Sequence, residues 1–187
     1  MLRRVTRDSV AVFIATSKPC LVSLEIYSGT NTSAKGTIDR SIRVETRKAG
    51  DKLHVALVRV PSVLAPDTIY GYDTGLSLDG GASYQGLEDL GLLSAPLSLG
   101  YDFKLPAFSV PVDLSQLVIT YGSCRKAHGP GTDALALLDR IIERDHATAG
   151  KRPHHLVLGA GYTETITPPW GQALVFAARA SGPGPLR

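Results

Sequence analysis

The sequence is poor in cysteine, in aromatic residues and in long apolar runs. Its 187 residues include two cysteines, Cys20 and Cys124, which are too few for a disulfide scaffold or a cysteine-rich zinc site. Aromatic residues make up 6% of the chain, so we do not expect a stacking platform for single-stranded nucleic acid. No run approaches the roughly 18 apolar residues that a helix needs to cross a bilayer.

The chain also lacks a strong charge of one sign. Its 20 lysines and arginines are nearly balanced by 17 acidic residues, and the two kinds are interleaved. This pattern is typical of a solvated surface rather than of a nucleic-acid or lipid patch. Residues 1–10 carry cations but neither a long apolar core nor a small-residue cleavage site, unlike a secretory signal. We therefore expect a cytoplasmic protein with no nucleic-acid and no membrane partner.

Residues 9 to about 77 have the pattern of an antiparallel β-sandwich of the fibronectin-III or immunoglobulin-like kind. Four segments rich in β-branched and other apolar residues predict strands at residues 9–17, 21–29, 53–60 and 68–77. In the second, Val22, Leu24 and Ile26 alternate with polar residues, as expected for a strand with one buried face. Residues 78–113 are rich in Gly, Ser and Pro and read as a connector that crosses to the next unit.

One local pattern within this region is more specific. Residues 64–72 read Leu-Ala-Pro-Asp-Thr-Ile-Tyr-Gly-Tyr. In immunoglobulin-like sandwiches, a tyrosine at such a corner bonds its hydroxyl to the backbone of the preceding loop. Tyr70 or Tyr72 is the candidate for this bond, and the alternative is a plain half-buried strand tyrosine.

Beyond the connector the pattern changes to that of a parallel α/β unit. The run Leu-Val-Ile-Thr at 117–120 predicts a buried strand, and apolar spacing predicts a helix over 132–148. Residues 154–161 predict a second strand, which completes one βαβ unit. His154 and His155 stand at the amino end of that strand, where we expect a structural role.

The loop after the first of these strands concentrates reactive side chains. It reads Tyr-Gly-Ser-Cys-Arg-Lys-Ala-His-Gly over residues 121–129, at the carboxyl end of the strand, where α/β sheets place their sites. Cys124 could be a metal ligand or a nucleophile. Arg125 and Lys126 could bind an anion, and His128 could bind metal or phosphate or move a proton. The alternatives are a buried cysteine, two solvated cations and a turn histidine.

Taken in order, these segments resemble the alkaline phosphatase D (PhoD-like) family of metallophosphoesterases. The resemblance spans roughly residues 2–159 and depends on the order of the sandwich, the corner at 64–72 and the strand that ends in Ser123-Cys124. It implies three regions. These are a sandwich domain with its connector at 1–112, the start of a phosphatase domain at 113–159, and a non-matching, disordered tail at 160–187.

The resemblance also implies a chemistry for the loop. Family members hydrolyse phosphate esters with bound iron and calcium, which polarise the phosphoryl group and activate a hydroxide. The family's cysteine in the Ser-Cys element is an iron ligand, and Cys124 matches it. Arg125 and His128 become candidates for contacts to the phosphate of a phosphate ester substrate.

One departure from the family changes this expectation. After its second strand the family has a Gly-Asp-x-x-Tyr element whose aspartate bridges the metals, whereas this chain reads Gly159-Ala160-Gly161-Tyr162. The family's later ligand-bearing strands are also missing. We therefore expect a truncated chain, for which a frameshift near Gly159 is one hypothesis, that retains neither iron nor calcium and is inactive.

Two other functions remain open from the sequence. The sandwich could be a non-catalytic binding module. The chain could also be a cysteine-based enzyme with Cys124 as nucleophile and His128 as base, in which case activity would need no metal.

Overall fold

The structure is a computed structural model that describes residues 2–94, 100–123, 135–159 and 175–179. The chain divides into two compact units, Met1–Val110 and Pro111–Arg187. This division falls two residues before the predicted end of the sandwich region at residue 112.

The described part of the first unit contains eight β-strands. In chain order they are β1 (Leu2–Thr6), β2 (Ser9–Thr16), β3 (Leu21–Ser28), β4 (Thr37–Glu45), β5 (Arg47–Gly50), β6 (Leu53–Pro61), β7 (Ile69–Ser77) and β8 (Ala107–Ser109). They form two four-stranded sheets, in the orders β1-β2-β6-β5 and β4-β3-β7-β8, and every pairing is antiparallel. The prediction of an antiparallel sandwich is confirmed at this level.

The core lies between the two sheets and is built from alternate residues of the central strands. In β3 the side chains of Val22, Leu24 and Ile26 are fully buried, as the alternation predicts. The opposite sheet contributes Val12 of β2 and Val58 of β6 to the same cluster. Burying one such side chain stabilises the fold by about 1.5–3 kcal/mol.

Two glycines on the outer face of β7 leave room for residues of β3, of the β3–β4 connection and of the connector. A methyl group on Gly75 would lie 2.6 Å from Ser23 Oγ and 3.2 Å from Tyr84 Cβ. A methyl group on Gly71 would lie 2.9 Å from Thr30 Cβ. Neither site has room for a side chain, so these glycines are needed for close approach rather than for a turn.

Hydrogen bonds hold the connector to this face. The Asp73 carboxylate accepts from Leu87 N at 3.0 Å, and Leu76 and Gln85 exchange two backbone bonds. Lys104 N donates to Asn31 O at 3.0 Å. The described connector residues up to Val110 therefore belong to the first unit, and residues 111–113 belong to the second. The connector includes β8, a strand that was not predicted.

The turn after β7 is organised by one carboxylate. Asp79 accepts hydrogen bonds from the hydroxyls of Ser77 and Ser83, each at 2.6 Å, and from Ser83 N. These donors hold the pKa of Asp79 well below its usual value. Because the folded pKa is lowered, the contribution of this turn is present at neutral pH and is lost as the pH falls through the acidic range.

The corner that leads into β7 contains the predicted tyrosine bond. Ala65 N donates to the Tyr70 hydroxyl at 2.9 Å, and the Tyr70 ring stacks on Phe108 with its centroid 5.9 Å away. Tyr70, not Tyr72, is therefore the corner tyrosine.

Replacing Tyr70 with phenylalanine should lower the free energy of unfolding by about 1–2 kcal/mol, because the partly buried Ala65 N–H loses its acceptor. Chemical denaturation measures this change. Tyr72→Phe is the matched control, since no hydrogen bond of the Tyr72 hydroxyl is recorded in the described part of the chain, and it should change stability by less than about 0.5 kcal/mol. Equal losses in the two variants would contradict the role of the corner.

The second unit contains a small mixed sheet. Its described elements are a short 3-10 helix (Leu114–Gln116), β9 (Val118–Ser123), α1 (Leu135–Asp145), β10 (His155–Gly159) and β11 (Val175–Arg179). β10 pairs with β9 in parallel and β11 pairs with β9 antiparallel, so the order among described strands is β10-β9-β11. The predicted strand, helix and parallel strand are present. That they begin a phosphatase domain stays a prediction.

One boundary differs from the predictions in this unit, since the helix ends at Asp145 rather than near residue 148. β11 (Val175–Arg179) lies within the residues predicted as a non-matching, disordered tail, and the tail stays a prediction. The segment Val-Phe-Ala-Ala-Arg is short and apolar, and pairing with the free edge of β9 satisfies its backbone groups.

Candidate functional sites

The predicted site loop follows β9, which ends at Ser123. Cys124, Arg125 and His128 lie outside the described residues, so their roles toward metal and phosphate stay predictions. The structure describes β9, which precedes the loop, and β10, the strand beside it.

β9 and β10 pair in parallel. The register pairs Ser123 with Gly159, so the two strands end side by side at the same edge of the sheet. The residues that follow in sequence are Cys124 after β9 and Ala160 after β10. Ala160 offers no metal ligand at the chain position where the resembled family has its aspartate.

The amino end of the same strand pair is held by a histidine. His154 N donates to Val118 O at 2.9 Å, and Val118 N donates to His154 Nδ1 at 3.0 Å. The imidazole therefore satisfies a backbone group at the start of β9, and the predicted structural role of His154 is confirmed. The side chain of His155 lies outside the described part.

The described residues do not assemble a metal site by themselves. No group of three or more His, Cys, Asp or Glu side chains within the described ranges could hold a metal ion. The prediction of iron and calcium therefore depends on the sequence resemblance. The described helix is too short to cross a membrane.

A second candidate site lies in the sandwich and was not predicted. It is a cleft of about 720 Å³ at the open side of the two sheets, within the first unit. It is lined by Leu2, Val12, Phe13, Ile14, Ala15, Tyr72, Thr74, Leu76, Leu87, Leu90 and Leu92. We call it the apolar cleft. Its volume falls within the range of roughly 300–1,000 Å³ that is typical of small-molecule sites.

The cleft exists because the sheet edge is incomplete. β8 pairs with residues 69–71 of β7 and leaves the rest of that edge of β7 without a described strand, apart from a single bridge between Leu76 and Gln85, while the other edge of β7 pairs with β3. On the opposite sheet β1 pairs with residues 9–12 of β2, so the cleft residues 13–15 lie beyond that pairing. The space between them is bordered by the leucines of the connector rather than filled by another strand.

Hydroxyl groups are the polar side-chain groups of the cleft. They belong to Tyr72 and Thr74, and none of the lining residues is charged. The structure records no hydrogen bond from either hydroxyl to a residue in the described ranges. Burial raises the pKa of Tyr72, so this phenol stays neutral at physiological pH. The cleft can therefore bind an apolar molecule and exchange a neutral hydrogen bond with it.

The comparisons with known proteins add no family. No model of a known protein family matches the chain, and no curated protein sequence matches it.

Proposed function

We propose that the chain is related to the PhoD-like metal-dependent phosphatases and that it does not itself hydrolyse phosphate esters. Its support is the combination of an antiparallel sandwich that is followed in the chain by a strand, a helix and a parallel strand. The sheet orders β1-β2-β6 and β4-β3-β7-β8 and the Tyr70 corner fit a fibronectin-III-like version of the sandwich.

The single observation that carries the proposal is the register at the carboxyl ends of β9 and β10. Ser123 is paired with Gly159, so β9 and β10 end at the same edge of the sheet. Cys124 and Ala160 are the residues that follow these two strand ends in the chain. An aspartate at 160 would give the sheet edge the Cys and Asp pair that the resembled family uses. Alanine at this position removes a carboxylate oxygen that hard cations and iron require.

Restoring that carboxylate tests the proposal. We expect Ala160→Asp to increase the affinity of the chain for ferrous iron by about tenfold or more, because a direct metal ligand is worth at least as much as the groups that hydrogen-bond to ligands, whose loss changes metal affinity about 10–100-fold. Isothermal titration and metal analysis of the full chain measure the change.

The double variant Ala160→Asp with Cys124→Ser is the matched control. It keeps the new carboxylate and removes the thiolate, so the gain in iron affinity should disappear. If the gain persists without Cys124, the carboxylate acts elsewhere and the proposed pairing of the two positions is wrong. If Ala160→Asp gives no gain while the fold is intact, the relationship to the metallophosphatases loses its structural support.

A second candidate function is non-catalytic binding by the sandwich. The observation that favours it is the apolar cleft, because a cavity of this size and composition has the usual features of a ligand site. It needs neither a metal nor the second unit.

A further inference from the structure

We propose that the apolar cleft binds a neutral amphiphile with one aliphatic chain, such as a medium-chain alcohol. The inference depends on the second of the two proposed functions, binding by the sandwich. It adds the chemical class of the ligand and the residue that selects it.

The shape of the lining argues for an aliphatic chain. Leucines, valine and isoleucine from both sheets and the connector surround the space. Leu90 is 39% exposed although it lies in this apolar wall. Filling the cleft with hydrocarbon would remove its surface from water, which is favourable at about 0.8 kcal/mol for each buried methylene.

The polar groups argue for a neutral head group. Tyr72 and Thr74 are two residues apart on β7, so their side chains lie on the same face of the strand. That face borders the cleft, and the opposite face of β7 contacts the connector. Thr74 is 4% exposed. A hydroxyl can exchange hydrogen bonds with these two groups, whereas an ion entering the cleft would meet no opposite charge among the lining residues. Tyr72 is therefore the residue expected to select the head group.

Displacement of the neutral fluorophore phenylnaphthylamine from the full chain tests the inference. Decanol, decanoate and decyltrimethylammonium are compared as competitors, with decanol below its solubility limit and the two ions below their micelle-forming concentrations. We expect decanol to displace the fluorophore at about fivefold or more lower concentration than either ion, because a charge in the cleft would be unpaired. Tyr72→Phe should weaken decanol binding about fivefold, as the loss of one hydrogen bond requires.

Two blocking variants establish where the probe binds. Ile14→Trp and Leu90→Trp each place a large side chain in the lining and should reduce fluorophore binding about tenfold or more, as overfilling a cavity does. Leu53→Trp is the matched control, because Leu53 is exposed on the same sheet as Ile14 but does not line the cleft. It should bind as the unmodified chain does. The two blocking positions lie on different elements, so a folding defect in one leaves the other informative.

The outcomes distinguish the proposed ligand class from the proposed binding site itself. Selective displacement by decanol, lost in the blocking variants, supports the ligand class. Displacement by all three competitors at equal concentration overturns the ligand class and leaves binding by the sandwich intact. Failure of the fluorophore to bind, or binding unchanged in both blocking variants, overturns the site itself.

Discussion

Replacing Leu24 with alanine should lower the free energy of unfolding of the sandwich by about 2–5 kcal/mol. Leu24 is 0% exposed at the centre of β3, paired with Ile42 on one side and Thr74 on the other. Truncation removes apolar contacts to both sheets and leaves a cavity that neighbouring strands, fixed by their ladders, cannot close. Chemical denaturation followed by circular dichroism measures the change.

Leu57→Ala is the matched control for this substitution. Leu57 is also a leucine in the middle of a strand, but it is 63% exposed on the outer face of β6. Its truncation should change stability by no more than about 0.5 kcal/mol. A loss at Leu57 as large as that at Leu24 would mean that the outer face is buried in solution or that the core is placed wrongly.

Replacing Gly36 with alanine should lower the free energy of unfolding by about 3 kcal/mol, from a left-handed backbone and a steric overlap together. Gly36 precedes β4 with φ of +93°. A methyl group there would overlap the Ser28 carbonyl oxygen and lie 2.9 Å from Thr30 N. Both obstacles are backbone atoms, so the connection between β3 and β4 has to shift as a whole. The same denaturation measurement reports the effect.

Gly29 in the same connection separates the two causes. Its φ is +75°, and a methyl group there would meet nothing within 4 Å. Gly29→Ala therefore retains the cost of the left-handed conformation, about 1–2 kcal/mol, without the overlap. If Gly36→Ala is no more destabilising than Gly29→Ala, the tight packing of this connection is not present in solution.

The central strands could be predicted from the sequence because a strand with a buried face needs apolar side chains along that face. β2, β3, β6 and β7 each contribute side chains to the core; β3 has the period-two apolar pattern, whereas β2 is apolar at nearly every position. β4 was missed because it is an edge strand in which charged residues dominate and a bulge opposite residues 26–27 breaks the register. β5 carries no apolar signal, since its four residues contribute only backbone pairing to β6.

The two candidate sites differ in how far apart their residues lie in the sequence. The loop with Cys124 could be found in the sequence because reactive side chains stand together in the chain. The apolar cleft brings Leu2 of β1 near Tyr72 of β7 and Leu90 of the connector, residues that are distant in sequence. Its weak signal is the leucine-rich stretch at residues 87–93, which contributes little to the main core. Those leucines border a cavity because β8 pairs only with residues 69–71 of β7 and leaves the rest of that edge open.

The two proposals assign different roles to the two units. Under the first proposal, Cys124 follows the end of β9, and Ala160, which follows Gly159, lacks the carboxylate that a metal site needs. The sandwich has a well-formed core and a cleft with the composition of a ligand site. Under the two proposals together, the sandwich binds its ligand in a chain that does not hydrolyse phosphate esters.

Hydrolysis of nitrophenyl phosphate mono- and diesters by the full chain, with iron and calcium added, tests this account most directly. The account predicts a rate equal to that of the same metals without protein, and no change in the Cys124→Ser variant. Saturable hydrolysis that is lost in Cys124→Ser would contradict it. If that hydrolysis also survived removal of all metals, Cys124 would be acting as a nucleophile rather than as a metal ligand.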